Sequence, residues 1–297
     1  MTEVKPFLKW IGGKRQLLKD IRKYYPFNSK ITKYCEPFVG GGAVLFDILN
    51  KYELKEIIIN DLNKELINTY LVVKTKVHQL IEDLENIEKE YLSLDEIKQK
   101  EYFLERRKEF NILKKENYNR SLRLASLFIF LNKTCFNGLY RVNKKGEFNA
   151  PHGKYKNPLI CDKENLLLVS EKLKNLKITQ GDYKKCLDFI DENTFVYLDP
   201  PYKPLSKTAN FVSYNENIFA DKEQKELSEF INLIDKKGAF FLLSNSDPKN
   251  ANENDDYFRI LYDKFHIETV LANRTVNSDK TNRGKINELL ISNIKEV

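Results

Sequence analysis

Short runs rich in β-branched and aromatic residues recur along the chain, at 33–39, 56–60, 177–180, 195–198, 239–243, 266–271 and 288–292. Most read as buried strands. Helical periodicity fills 43–49 after the first run and 222–234 before the fifth. Strands separated by helices predict βαβ units, so the fold class expected is α/β, a doubly wound and mostly parallel sheet.

From about 64 to 130 the pattern changes to long helical stretches, charged over 81–115 and apolar over 122–131. An inserted helical domain accounts for this change. The insert closes in 134–155, where Leu139, Arg141, Gly146 and Phe148 alternate about Asn143-Lys144-Lys145-Gly146, a β-hairpin pattern. The expected division is a discontinuous sheet domain of 1–63 and 162–297 interrupted by a helical domain of 64–161. No internal repeat or low-complexity tract interrupts this plan.

A length of 297 residues accommodates one large domain and a smaller insert. With 41% hydrophobic and 31% charged residues, no apolar run of membrane-spanning length and no signal-peptide pattern at Met1-Thr2-Glu3-Val4-Lys5, a soluble cytoplasmic protein is expected. Cys35, Cys135, Cys161 and Cys186 form no C-x-x-C pair, and His78, His152 and His266 do not cluster with them. Neither a zinc site nor a disulfide framework is expected. The formal charge of +7 is concentrated. Between positions 117 and 158, Arg120, Arg123, Lys133, Arg141, Lys144, Lys145, Lys154 and Lys156 face only Glu147. A solvated basic face and a nucleic-acid surface both fit that excess, so the motifs must decide.

The first strand runs into Gly40-Gly41-Gly42 and then an apolar helix, a tight turn at which glycine permits close backbone approach. Asp61, about 20 residues on, ends the next strand, at the spacing where a carboxylate accepts both ribose hydroxyls of a nucleotide. NAD and S-adenosylmethionine share that adenosine. The run Phe38-Val39-Gly40-Gly41-Gly42 lacks G-x-G-x-x-G spacing, and Glu36 precedes it, which favours S-adenosylmethionine. Near the start, Phe7-Leu8-Lys9-Trp10-Ile11-Gly12-Gly13-Lys14 joins the only tryptophan to two glycines and two lysines. Lys14 suits the carboxylate of a methionine moiety and Lys9 suits DNA, while Trp10 reads equally as a core aromatic.

The strand at 195–198 ends in Asp199-Pro200-Pro201-Tyr202. An adenine amino group is a poor nucleophile because its lone pair is delocalised into the ring. Two acceptors on its N–H groups draw the nitrogen towards tetrahedral geometry. The Asp199 carboxylate supplies one, and the Pro200 carbonyl, fixed by a ring that donates no hydrogen bond, supplies the other. Tyr202 offers an aromatic face to an extruded base. As a bare tetrapeptide the sequence is also an ordinary strand-end turn; the buried strand before it and the separate glycine loop give it weight.

Together, Phe7-Leu8-Lys9-Trp10-x-Gly12-Gly13-Lys14, Glu36-Pro37-Phe38-Val39-Gly40-Gly41-Gly42, Phe136-Asn137-Gly138-Leu139-Tyr140-Arg141 and Asp199-Pro200-Pro201-Tyr202 resemble the Dam family of DNA adenine methyltransferases. Their order is that of its α group, and the chain is most similar to the DpnM-like GATC methylases of restriction-modification systems. The resemblance implies a Rossmann-like methyltransferase sheet, S-adenosylmethionine as cofactor with no metal, and methyl transfer to N6 of a flipped adenine in duplex DNA within GATC. It implies cofactor contacts at Trp10, Lys14, Phe38, Gly40, Gly42, Asp61, Asp182 and Asp199, with Asp182 also a common turn residue. It implies catalysis by Asp199, Pro200 and Tyr202. For DNA it implies Lys9 on a base, Phe136 and Asn137 in or beside the duplex, and Leu139, Arg141 and Pro151 reading bases. Arg141 can offer two donors to guanine O6 and N7. Phe136 departs from the tyrosine common in the family, so any hydroxyl contact there is lost while aromatic insertion is kept.

The rival readings are transfer to cytosine N4, RNA adenine or a protein glutamine, a DNA-binding protein with an inert pocket, and an NAD-dependent oxidoreductase. Asp before Pro200 and the helical insert favour DNA adenine; the intact tetrapeptide and the missing G-x-G-x-x-G oppose the last two. Carbon-5 cytosine chemistry is excluded, since no cysteine follows a proline. A monomer, with possible pairing to a restriction endonuclease, completes the expectation.

Overall fold

The seven apolar runs are seven strands in the computed structural model, which describes residues 3–10, 12–116, 119–202, 219–273 and 285–294. They are β1 (Lys33–Glu36), β2 (Glu56–Asp61), β3 (Lys177–Gln180), β4 (Thr194–Leu198), β5 (Phe240–Ser246), β6 (His266–Asn273) and β7 (Lys285–Ser292). One sheet holds them in the order β3-β2-β1-β4-β5-β7-β6. β1 is parallel to β2 and β4, and β4 to β5, whereas β7 is antiparallel to β5 and β6. The chain forms two compact units, one of Met1–Gly13, Gly40–Asn50 and Asp61–Gly181, the other of Lys14–Val39, Lys51–Asn60 and Asp182–Val297.

The second unit carries β1, β4, β5, β6, β7 and most of β2, with the short α1 (Leu18–Ile21) near its start. β4 is buried at every residue, as expected of a central parallel strand covered on both faces. Its core joins Cys35, Val196, Leu198, Phe241, Leu243 and Ile291 from the sheet to a helix at Asp221–Lys236. That helix presents Leu227, Phe230, Ile231 and Ile234, three and four residues apart, as one apolar stripe. Glu223 reaches back to accept the Ala220 N–H at 2.9 Å, satisfying a donor at its start. Because β7 runs against β5, Glu288 near its beginning pairs with Ser246 at the end of β5. An acidic side chain thereby arrives at the carboxyl edge of the parallel strands.

The first unit contains α2 (Ala43–Lys51), α3 (Lys64–Thr75), α4 (Val77–Leu92), α5 (Glu96–Leu113), α6 (Leu122–Thr134) and α7 (Lys163–Leu173). The helix at Asp221–Lys236 is accordingly α8. Side chains start four of these: Asn63 accepts Leu66 N–H at 2.9 Å, Asp95 accepts Lys98 N–H at 2.9 Å, and Ser121 and Asp162 accept Leu124 and Asn165 N–H at 3.4 Å. Each such cap contributes about 1 kcal/mol. α6 is buried from Leu124 to Asn132 and packs on α3, α4 and α5, which is why its apolar run has no polar face.

The turn at Asn143–Gly146 forms, with Gly146 at φ +71°, Asn143 N–H donating to Glu147 O at 2.9 Å and a bridge between Val142 and Phe148. The hairpin stays short. Pro151 has no N–H to give, and the returning chain bonds to α5 instead. Asn111 accepts Phe148 N–H at 2.7 Å and donates to its carbonyl at 3.0 Å, while Arg107 donates to Ala150 O at 3.2 Å. Among the described residues, no helix is long and apolar enough to cross a membrane.

Candidate active site

In the sheet order, β1 and β4 are the neighbours between which the chain reverses direction of travel across the sheet. Ligands of doubly wound sheets bind outside the carboxyl ends of strands at such a switch point. Asp199-Pro200-Pro201-Tyr202 leaves β4 there.

Lys14, in a 3₁₀ turn at Lys14–Gln16 and only 3% exposed, belongs to the same cluster. Its Nζ lies 2.9 Å from Asp199 Oδ1 and 3.5 Å from Glu288 Oε2, donates to the Tyr202 hydroxyl, and sits 4.6 Å from the centre of the Tyr202 ring. The Tyr202 hydroxyl in turn donates to Glu288 Oε2 at 2.8 Å. One ammonium therefore serves two carboxylates, and a directed chain of donors runs Lys14 to Tyr202 to Glu288.

Withdrawal from water pushes the Asp199 carboxyl up to about 6, against the lowering effect of Lys14 and with a further rise from Glu288. At neutral pH it is ionised, an acceptor poised one unit below. Burial and then the Asp199 and Glu288 charges raise the Tyr202 hydroxyl far beyond its ordinary range, so it remains a donor. Beneath them, Tyr197 donates to Ser244 Oγ at 3.2 Å and is likewise raised by burial and by Asp199.

The other predicted residues of this unit have partners of their own. Phe38 packs on Tyr183, with ring centres 5.1 Å apart, and edge-on to Phe219. Glu36 is buried and accepts the Tyr34 hydroxyl at 2.7 Å. Asp182 is exposed and accepts Lys184 N–H at 2.8 Å, the geometry of a capped turn.

In the first unit, the glycine loop and Asp61 are joined directly. Asp61 Oδ2 accepts Gly40 N–H at 3.0 Å and Oδ1 accepts Asn63 N–H at 2.9 Å. Each oxygen has a second lone pair, so the carboxylate keeps acceptor capacity for two hydroxyls. Burial raises its pKa, while these backbone donors lower it. Gly40 and Gly42 have φ of +48° and +73°. A Cβ on Gly40 would meet Trp10 Nε1 at 2.9 Å, and one on Gly42 would meet the Tyr70 hydroxyl at 2.6 Å. The loop thus needs glycine for conformation and for Trp10, which stacks on Tyr140 at 6.1 Å and 18°.

The predicted DNA residues gather on one anchored segment of that unit. Asn132 on α6 accepts Lys9 N–H at 2.8 Å and donates to Lys9 O at 2.7 Å and Gly138 O at 3.2 Å. Lys9 Nζ lies 4.3 Å above the Tyr155 ring, and the Tyr155 hydroxyl accepts Asn137 N–H at 3.0 Å. Asn137 holds a left-handed φ of +55°, and Phe136, 52% exposed, donates its N–H to Pro151 O at 2.9 Å. Arg141 is half-buried, with Nε on Asn149 Oδ1 at 2.8 Å and a second bond to Asn149 O at 3.0 Å. Leu139 is half-buried and Pro151 exposed.

Sequence reasoning missed Glu288, Asn132 and Tyr155. Glu288 begins an apolar run and looks like its boundary; only the antiparallel direction of β7 carries it to Lys14. Asn132 follows the apolar stretch of α6 directly and is buried there, a polar residue at depth that only the structure reveals.

The family model for D12 class N6 adenine-specific DNA methyltransferases matches residues 10–276. Type II methyltransferase M.MjaIII of Methanocaldococcus jannaschii is 51% identical over 98% of this chain and 99% of its own length. Type II methyltransferase M1.LlaDCHI of Lactococcus lactis subsp. cremoris is 40% identical, with 98% and 95% covered. The DNA adenine methylase of Serratia marcescens is 34% identical, with 98% of each covered. A match that takes in the glycine loop, the helices and the end of β4 leaves one assignment: this chain belongs to the D12 class of N6 adenine-specific DNA methyltransferases.

Proposed function

We propose that this enzyme methylates N6 of adenine within GATC in duplex DNA, with the target base flipped out and S-adenosylmethionine as methyl donor. The observation that carries the reading is the half-neutralised Asp199 carboxylate at the carboxyl end of β4. Asp199 accepts one amino N–H and the Pro200 carbonyl the other, drawing the nitrogen lone pair out of the ring. With a pKa of about 6, Asp199 is also a base near the proton that methylation releases. Tyr202 stacks on the base, a contact worth about 1–3 kcal/mol that offsets part of the unstacking cost.

The residues present fit the cofactor's chemistry. Asp61 retains acceptor capacity for two ribose hydroxyls while its backbone donors hold it still. We assign Trp10, Lys14, Phe38, Gly40, Gly42, Asp61, Asp182 and Asp199 to holding it; when bound, S-adenosylmethionine supplies a methyl group activated on sulfur.

In the same reading 64–161 is the target-recognition region of a catalytic domain formed by 1–63 and 162–297. Phe136 enters the duplex beside the target with Asn137 in support, and Lys9, Leu139, Arg141 and Pro151 meet bases. The exposure of Phe136 and Lys9, and their anchoring through Asn132 and Pro151, support this. The enzyme acts as a cytoplasmic monomer, and the type II names of two relatives support pairing with a restriction endonuclease. Sequencing of methylated sites in DNA exposed to the pure protein should place the label on adenines of GATC. Label absent from those adenines would sink the target assignment.

A further inference from the structure

Glu288 lies outside the tetrapeptide and both glycine motifs, yet its carboxylate is built into the cluster that Lys14, Asp199 and Tyr202 form. The strand β7 is apolar from Leu289 to Ile291, and Glu288 opens that buried stretch at 7% exposure. A carboxylate at such depth needs partners, and among the described residues it has two: the Tyr202 hydroxyl at 2.8 Å and Lys14 Nζ at 3.5 Å. Lys14 in turn lies 2.9 Å from Asp199 Oδ1. Two carboxylates thus share one ammonium.

The sharing matters to the reaction. An ammonium serving Asp199 alone would compete with the amino N–H groups for the same oxygens and leave the carboxylate a poorer acceptor. A second carboxylate draws part of the ammonium's charge, and the Tyr202 hydroxyl, donating to Glu288, fixes the ring that stacks on the base. We propose that Glu288 is a positioning residue for methyl transfer: by dividing Lys14 with Asp199 and holding the Tyr202 hydroxyl, it keeps the Asp199 carboxylate available to the adenine amino group. This rests on the reading of Asp199 as the acceptor.

Among the described residues, the titratable groups facing Asp199 are Lys14, Glu288, Tyr197 and Tyr202. The Glu288 charge raises the Asp199 pKa, so its removal leaves Lys14 to pull that pKa down. The test is the pH profile of single-turnover methyl transfer to a duplex, with labelled S-adenosylmethionine, for the wild type, Glu288→Gln and Glu288→Asp. Glutamine keeps an acceptor for Tyr202 but not the charge. Its plateau rate should fall about tenfold and its acid limb move down, as expected when a neighbouring like charge is lost. Single-turnover rates are read at saturating duplex and cofactor, because Glu288 touches Lys14 and Tyr202 and its loss can also shift their affinities. Glu288→Asp restores the charge on a shorter arm and should return the acid limb to the wild-type position even if its rate is only partly recovered.

A rate loss in Glu288→Gln without movement of the limb would mean a structural role only and would overturn the proposal, as would an unchanged rate. If Glu288→Gln does not fold, the Glu288→Asp profile decides: an acid limb displaced from that of the wild type overturns it. Asp199→Asn in the same assay separates the two layers. Turnover retained by that variant removes the acceptor reading itself, whereas its loss beside a wild-type-like Glu288→Gln removes only the role of Glu288.

Discussion

Replacing Asp199 by Asn should cost the enzyme its reaction and at the same time stabilise its fold. Burial raises the carboxyl from 3.8 to about 6 with Lys14 already in place, so the ion pair is counted in that value. The side chain retains 21% of its exposure, so solvent screens little of the effect. Between these pH values the folded protein binds more protons than the unfolded chain, and stability falls as pH rises through the window, levelling off above about 6. At about 1.36 kcal/mol per unit, the ionised carboxylate costs the fold about 3 kcal/mol at pH 7 and about half of that at pH 5. A neutral asparagine escapes this cost. Urea unfolding of the two proteins should show the variant more stable by about 3 kcal/mol at pH 7, with the gap narrowing towards pH 5. Single-turnover methyl transfer should drop by about 100-fold or more, the usual loss when one preorganised electrostatic partner is removed. A variant less stable than the wild type at pH 7, or a gap that does not change with pH, would refute the electrostatic reasoning; unimpaired turnover would refute the mechanism.

Two further outcomes follow from the first unit. Gly42→Ala puts a Cβ 2.6 Å from the Tyr70 hydroxyl and 2.9 Å from Phe46 Cε2 on a backbone at φ +73°; chemical denaturation should show a loss of about 1–3 kcal/mol, and unchanged stability would count against the loop geometry. Arg141→Ala should relax selection at one guanine by about 1–3 kcal/mol, read as a spread of methylated sites in a randomised duplex pool. Strict retention of both guanines would remove Arg141 from the readout.

The sequence alone determined the sheet and the chemistry that sits at a strand end. Central parallel strands buried on both faces leave continuous apolar runs, which made β4 visible with Asp199-Pro200-Pro201-Tyr202 attached, and β-branched and aromatic residues marked the edge strand β3 and the antiparallel β6 and β7. Glycines forced into left-handed φ and a carboxylate ending a strand are local features too, which is why Gly40, Gly42 and Asp61 stood out. The tertiary structure decided what meets what. Lys14 and Glu288 come from opposite ends of the chain, and no local period links them. They share a site because β7 runs antiparallel to β5 and carries its first acidic residue to the edge where β4 ends. In the other unit, likewise, Asn132 follows the apolar stretch of α6 with no local mark of a role, and the fold sets it against the backbone of Lys9 and Gly138. Pattern along a chain records backbone conformation and burial, which are local. The charge balance around Asp199 is a property of side chains from three separate segments, and only strand order and direction bring those together.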